Sequence, residues 1–151
     1  MSRVYWDTML FVYLVEKHPE HAARVRQVLA AMDRRHDSLC TSVFTLGEIL
    51  TGPYKRGATE LAAQVREILR PPRVELLPLT ARTSDIYARI RAENRVSPAD
   101  AIHMACAAEA GVNLFLTNDR RLTGLIVPGI DFIAGMDVDL FREASPSRPP
   151  R

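Results

Sequence analysis

Asp7 in VYWDT, Glu48 in TLGEIL, Asp100 in SPADAIHMA and Asp119 in FLTNDRRL lie far apart in the chain, each beside an apolar segment with the character of core. If the fold gathers them, their charges repel. One carboxylate pair at ~4 Å costs roughly 4 kcal/mol at an effective dielectric near 20. A bound divalent cation removes that repulsion, and acidic oxygens around a hard cation are the apparatus of phosphodiester hydrolysis.

Each acid also has a plainer role. Asp7, followed by Thr8, can cap a helix, and Asp119 can serve a turn in Asn-Asp-Arg. Asp100 falls in the first turn of a helix opened by Ser97-Pro98, where an acid complements the helix dipole. From Ala99 to Ala110, however, the only polar side chains are Asp100, His103 and Glu109, so this helix should be buried and its mouth should face solvent or a cleft. Glu48 points away from the arc of Val43, Leu46, Ile49 and Leu50, toward water or a cleft.

The elements that must position these acids alternate between short apolar strands and helices. Strands are expected at Val4 to Trp6, Ser38 to Ser42, Val74 to Leu77, Val112 to Leu116 and Ile130 to Ile133. Between them, helices are expected from Thr8 to about Glu16, from Glu20 to Arg34, and from Val43 to Leu50, the last ended by Gly52-Pro53. Three more follow, from Thr59 to Leu69, from Thr80 to Asn94, and from Ser97-Pro98 to a C′ glycine at Gly111. Such alternation implies a parallel sheet covered on both faces, with ligand sites beyond the carboxyl ends of the strands. Asp7 and Asp119 both fall at that edge. The expected layout is a domain over residues 1–135 and a tail over 136–151, disordered at least from Ser145.

Bulk properties agree with an ordinary globular chain. Its 151 residues suffice for one core without disulfide or metal staples, and the net charge of +2 lacks the field of a protein that coats nucleic acid. Of its 20 basic residues only Lys17 and Lys55 are lysines; arginine suits bidentate phosphate contacts, although a genome rich in Arg codons gives the same bias. Cys40 and Cys106 read as reduced core residues, no stretch approaches a membrane span, and the apolar run from Met9 to Val15 is too short and too closely flanked by acids for a signal peptide. A cytoplasmic location is expected.

Neighbouring chemistries lack their signatures. There is no GxGxxG, no GxxxxGK[ST] and no GxSxG. Met9 stands where a phosphoaspartyl phosphatase needs a second acid. His18 and His21 flank Pro19 without a third zinc ligand. His103, one turn after Asp100, reads better as a satisfied, partly buried histidine. Arg120 and Arg121, or Arg89, Arg91 and Arg95, can clamp a phosphate or simply face water.

In order along the chain, VYWDT, TSVFTLGEIL and SPADAIHMACAAEAGVNLFLTND resemble the PIN-domain nucleases, in particular VapC-type toxins of bacterial toxin–antitoxin pairs, over roughly Val4 to Ile133. The resemblance implies a three-layer α/β/α sandwich around a short parallel sheet of four to five strands. It also implies a Mg2+- or Mn2+-dependent endoribonuclease. Asp7 and Asp100 match the principal metal-binding aspartates, Glu48 and Asp119 complete a catalytic quartet, and Thr8 and Asn118 match polar positions that orient the acids. The bulky pair Tyr5-Trp6 departs from the small or aliphatic residues usual before the first aspartate. The partners implied are an RNA substrate, a small antitoxin whose tail enters the acidic cleft, and a second copy in a homodimer. The rival reading is a catalytically silent PIN-like module that binds RNA or protein. A structure-specific DNA nuclease ranks last, because the chain lacks long insertions to hold a duplex.

Overall fold

In the computed structural model, residues 1–141 are described. Five strands, β1 (Arg3–Trp6), β2 (Ser38–Ser42), β3 (Glu75–Leu77), β4 (Leu114–Thr117) and β5 (Phe132–Gly135), form one sheet in the order β3-β2-β1-β4-β5. All of its pairings are parallel, with Tyr5 beside Cys40 on one flank and beside Phe115 on the other. The helices are α1 (Thr8–Val15), α2 (Ala22–Arg35), α3 (Val43–Lys55), α4 (Thr59–Ile68), α5 (Ala81–Glu93) and α6 (Pro98–Ala110), followed by a short 3-10 turn at Asp139–Phe141.

Alternation along the central strands divides the core in two. Val4, Trp6, Leu114 and Leu116 face a cluster with Leu10, Phe11, Val25, Val28, Ile49 and Val65, drawn from α1 to α4. Tyr5, Cys40 and Phe115 face the opposite cluster, built on Ile90 of α5 and on Ala101, Met104 and Ala105 of α6. This is the expected α/β/α sandwich, and both free cysteines are buried within it. No helix among the described residues is long and apolar enough to cross a membrane.

Sheet order sets where a ligand can sit. From β1 the chain moves outward through β2 to β3, then returns to pair β4 on the other side of β1. The strand order reverses between β1 and β4, and beyond that reversal the flanking loops part to leave a crevice at the carboxyl ends. Asp7 follows β1 and Asn118-Asp119 follows β4, so the sheet delivers both acids to that crevice.

Several element boundaries differ from expectation, most by a residue or two, and three of the differences have a clear local reason. α3 does not stop at Gly52-Pro53 but runs to Lys55, with Pro53 buried inside it. Proline's fixed φ suits a helix, and its cost is the lost bond to a carbonyl one turn back. The end comes instead at Gly57, left-handed at φ 64, with the Ala58 amide donating to Pro53 O at 2.9 Å. β4 and β5 each begin two residues later than the apolar runs suggest, because Asn113 and Asp131 serve the loops, Asn113 Nδ2 donating to Asp131 at 2.9 Å. Packing also continues past residue 135, since Met136 and Phe141 are buried in the α1–α4 cluster. The rest of the expected tail, 142–151, lies outside the described residues.

The loop between β4 and β5 packs on the end of α6 through Gly129. Its φ is +98, and a Cβ there would stand 2.5 Å from the Ala108 carbonyl oxygen. Gly129→Ala is therefore expected to lower unfolding stability by about 2–4 kcal/mol in a denaturant titration, combining backbone strain with an overlap against fixed backbone. A loss below about 1 kcal/mol would show that the loop is not seated on α6 as described.

Candidate functional site

Asp7 is the N-cap of α1, and it does two things at once. Its Oδ1 accepts from the Met9 amide at 3.1 Å, while Oδ2 accepts from Thr117 Oγ1 at 2.6 Å. Thr117, the last residue of β4, in turn accepts from the Asp119 amide at 3.0 Å. One buried hydroxyl thus ties the two strand-end acids together across the β1–β4 reversal. Nothing in the sequence marked Thr117, because its hydroxyl matters only once β4 lies beside β1.

Asp100 is placed by its helix. Ser97 caps α6, its hydroxyl accepting from the Asp100 amide at 3.1 Å, and Pro98 starts the first turn. Among the described residues the Asp100 carboxylate accepts no hydrogen bond, and its charge is offset by the partial positive charge at the start of α6 and by Arg121. Glu48 lies midway along α3, on the side turned from the core arc. Its Oε1 accepts from Thr8 Oγ1 at 2.6 Å and lies 2.6 Å from His103 Nε2. Burial pushes the Glu48 carboxyl up, but the bonds from His103 and Thr8 outweigh it and hold the group below the usual glutamate range. Asp119 meets Arg121, whose Nε and Nη2 lie 3.1 and 2.8 Å from its two oxygens. Those bonds are the main cause of its lowered carboxyl. The same contact raises Arg121, with a smaller contribution from the charge of Asp100.

All four acids line one open cleft of about 390 Å³, together with Thr8, Tyr13, His103, Asn118 and Arg120. The residues singled out in the sequence therefore meet, although they come from four separate segments. Of the two polar residues expected to orient acids, Thr8 does so, whereas Asn118 turns its amide to Tyr13 Oη at 2.8 Å. His103, 4% exposed, touches both Tyr5 and Glu48. Its place on the cleft wall was open to inference from its position one turn beyond Asp100, but its partner Tyr5 was not. Of the suggested phosphate clamps, Arg120 reaches the cleft, Arg121 is engaged by Asp119, and Arg89 pairs with Asp85 on the surface of α5. His18 and His21 stack on each other at 4.8 Å and against Tyr13, and His18 Nδ1 accepts from two backbone amides.

The donors in the cleft are hard carboxylate oxygens, which suit a small divalent cation rather than zinc or copper. Among the described residues no three His, Cys, Asp or Glu side chains are already arranged around one point. Mg2+ keeps most of its water and is commonly held by one or two carboxylates, so a cleft with one uncommitted aspartate beside a second fits that chemistry. A larger hollow of about 720 Å³ is lined by Phe11, Leu29, Met32 and Ile68 of α1, α2 and α4 and by the starts of β2 and β3. It is mostly apolar, and its chemistry suits a binding surface rather than hydrolysis.

The family model described as the PIN domain matches residues 4–125. Among solved structures, the DNA-bound VapBC complex of Salmonella typhimurium is similar at 26% identity and a TM-score of 0.69, over 90% of this chain and 99% of that one. VapBC2 of Rickettsia felis, bound to a promoter DNA fragment, is similar at 19% identity and a TM-score of 0.67, over 88% of this chain and 98% of that one. VapC20 of Mycobacterium tuberculosis, described as a sarcin-ricin loop cleaving toxin, is similar at 19% identity and a TM-score of 0.65, over 82% and 96%. The likeness to the last two bears on the fold alone. No curated protein matches the sequence.

The Glu48 contacts carry a pH signature. A carboxyl lowered by folding contributes stability that is fully present above the ordinary glutamate value, about 4.3, and is lost as pH falls through its lower folded value. Unfolding free energy measured against pH should therefore fall less steeply on the acid side in Glu48→Gln than in wild type. Superimposable acid limbs would mean that His103 and Thr8 do not favour the ionised form.

Proposed function

The chain belongs to the PIN-domain family, and from that premise we propose that it is a Mg2+- or Mn2+-dependent endoribonuclease, the toxin of a toxin–antitoxin pair. The observation that carries this reading is the convergence of Asp7, Glu48, Asp100 and Asp119 on one cleft at the strand-order reversal. The likeness to the Salmonella typhimurium VapBC complex supports the toxin–antitoxin setting.

We assign Asp7 and Asp100 as the residues that would hold the cation. When bound, it supplies Lewis-acid stabilisation of charge on the phosphate and makes water a stronger acid. Glu48 orients the attacking water and takes its proton as the water oxygen bonds to phosphorus and the bond to the leaving oxygen breaks. Asp119 completes the acidic wall, with Arg121 limiting its repulsion of the incoming phosphate. Arg120, exposed at the same rim, is the side chain best placed to hold a neighbouring phosphate. Water attack needs no 2′-OH, so preference for RNA arises from groove shape and unpaired bases. The apolar hollow beside α1, α2 and α4 is the surface we assign to the antitoxin, and the chain is expected to work as a cytoplasmic homodimer until neutralised.

One observation favours a second reading, a catalytically silent module. Asp7, Glu48 and Asp119 already have donors from the protein, so the cleft can persist without an ion. Two measurements separate the readings. Asp100→Asn should lower RNA cleavage at least about a hundredfold, since it removes a ligand and not a packing group, with the melting temperature within a few degrees of wild type. Retained metal-dependent cleavage in that variant would refute the assignment. Saturating Mn2+ should also raise the wild-type melting temperature, by an amount corresponding to about 2.7 kcal/mol at a hundred times the dissociation constant, and Asp100→Asn should lose most of that rise. No shift in wild type, with no cleavage, favours the silent module.

A further inference from the structure

His103 takes no part in the hydrolysis described above, yet its contacts are directional. Both ring nitrogens are engaged, Nε2 with Glu48 Oε1 at 2.6 Å and more loosely with Thr8 Oγ1 at 3.2 Å, Nδ1 with Tyr5 Oη at 2.7 Å and more loosely with Thr45 Oγ1 at 3.3 Å. The partners fix where the ring's proton sits. An ionised Glu48 can only accept, so Nε2 carries the hydrogen. With that hydrogen on Nε2, the neutral ring leaves Nδ1 a lone pair, which accepts from the hydroxyl of the fully buried Tyr5. Tyr5 is itself immobilised, its ring stacked on Phe115 at 5.0 Å with 7° between planes. Phe44 covers His103 with centroids 5.2 Å apart.

The consequence falls on Glu48. Thr8 and His103 both address Oε1, and among the described residues no donor reaches Oε2. With one oxygen fastened to the protein, the other is left for the cleft that Glu48 lines. We propose that His103, locked in a single tautomer by Tyr5, is a positioning residue that holds the Glu48 carboxylate with Oε1 against the wall and Oε2 toward the attacking water. This rests on the hydrolytic reading of the cleft. It also accounts for the bulky Tyr5, unusual before the first aspartate, because an aliphatic residue there would leave Nδ1 without its closest donor. A histidine that merely filled the core would need neither a fixed tautomer nor a donor aimed at a cleft carboxylate.

The test has two arms. In full-length protein labelled with 15N at histidine, the His103 resonances should report Nδ1 without and Nε2 with a proton, and Tyr5→Phe should disturb that pattern. The opposite tautomer, or averaging between the two, overturns the proposal. In kinetics on an unpaired RNA with Mn2+, His103→Leu should lower kcat about a hundredfold with KM within about twofold, as expected for a misaimed reacting group. His103→Gln, whose amide nitrogen can replace Nε2 as donor to Oε1, should recover most of the loss, and Tyr5→Phe should lose about fivefold. Folded His103→Leu with unchanged kcat, or His103→Gln no better than His103→Leu, overturns the proposal. If wild type cleaves no RNA, the hydrolytic reading fails instead, and the tautomer measurement still decides whether Tyr5 and His103 form the clamp.

Discussion

Mutual repulsion among carboxylates facing one cleft is the constraint that the rest of this structure answers. A single pair at ~4 Å and an effective dielectric near 20 costs roughly 4 kcal/mol, a large part of the stability of a domain this size. The protein meets it with a separate donor for nearly every acid. Asp7 has the Met9 amide and Thr117, Glu48 has Thr8 and His103, and Asp119 has Arg121. Asp100 alone accepts no hydrogen bond among the described residues and sits at the start of α6. That division leaves a negative cleft that is stable by itself but has one carboxylate uncommitted.

Topology makes the arrangement possible. Parallel strands place successive carboxyl ends at one edge, and the reversal between β1 and β4 opens that edge beside Asp7 and Asp119. The two sides of the sheet then contribute from different layers. α3 brings Glu48 from the face carrying α1 to α4, and α6 brings Asp100 and His103 from the other. Tyr5 crosses between these roles: it is a core residue stacked on Phe115, and its hydroxyl reaches the histidine that meets Glu48.

Much of this was legible in the sequence. The strand periods, the Ser97-Pro98 cap and the left-handed Gly111 are local signals, and they placed Asp7, Asp100 and Asp119 at element ends where the structure has them. Glu48 was less readable, because a helical period tells which side faces away from the core but not what lies opposite. The helix through Pro53 was missed since its true stop, Gly57, depends on a left-handed residue closing the turn beyond the proline. Thr117 and the Tyr5–His103 pair were invisible for a different reason. Their hydrogen bonds join residues about a hundred positions apart, and no spacing rule encodes such a contact. Met136 and Phe141 belong to the same class, single apolar residues whose burial depends on a neighbouring helix.

The central claim is that this cleft captures a doubly charged cation through Asp7 and Asp100. Anomalous scattering from crystals grown with Mn2+ addresses it directly. A peak is expected in contact with carboxylate oxygens of both aspartates, within the wall formed with Glu48 and Asp119. A cleft free of anomalous density at a Mn2+ concentration that supports RNA cleavage, or a manganese ion bound elsewhere with both aspartates turned away from it, would contradict it.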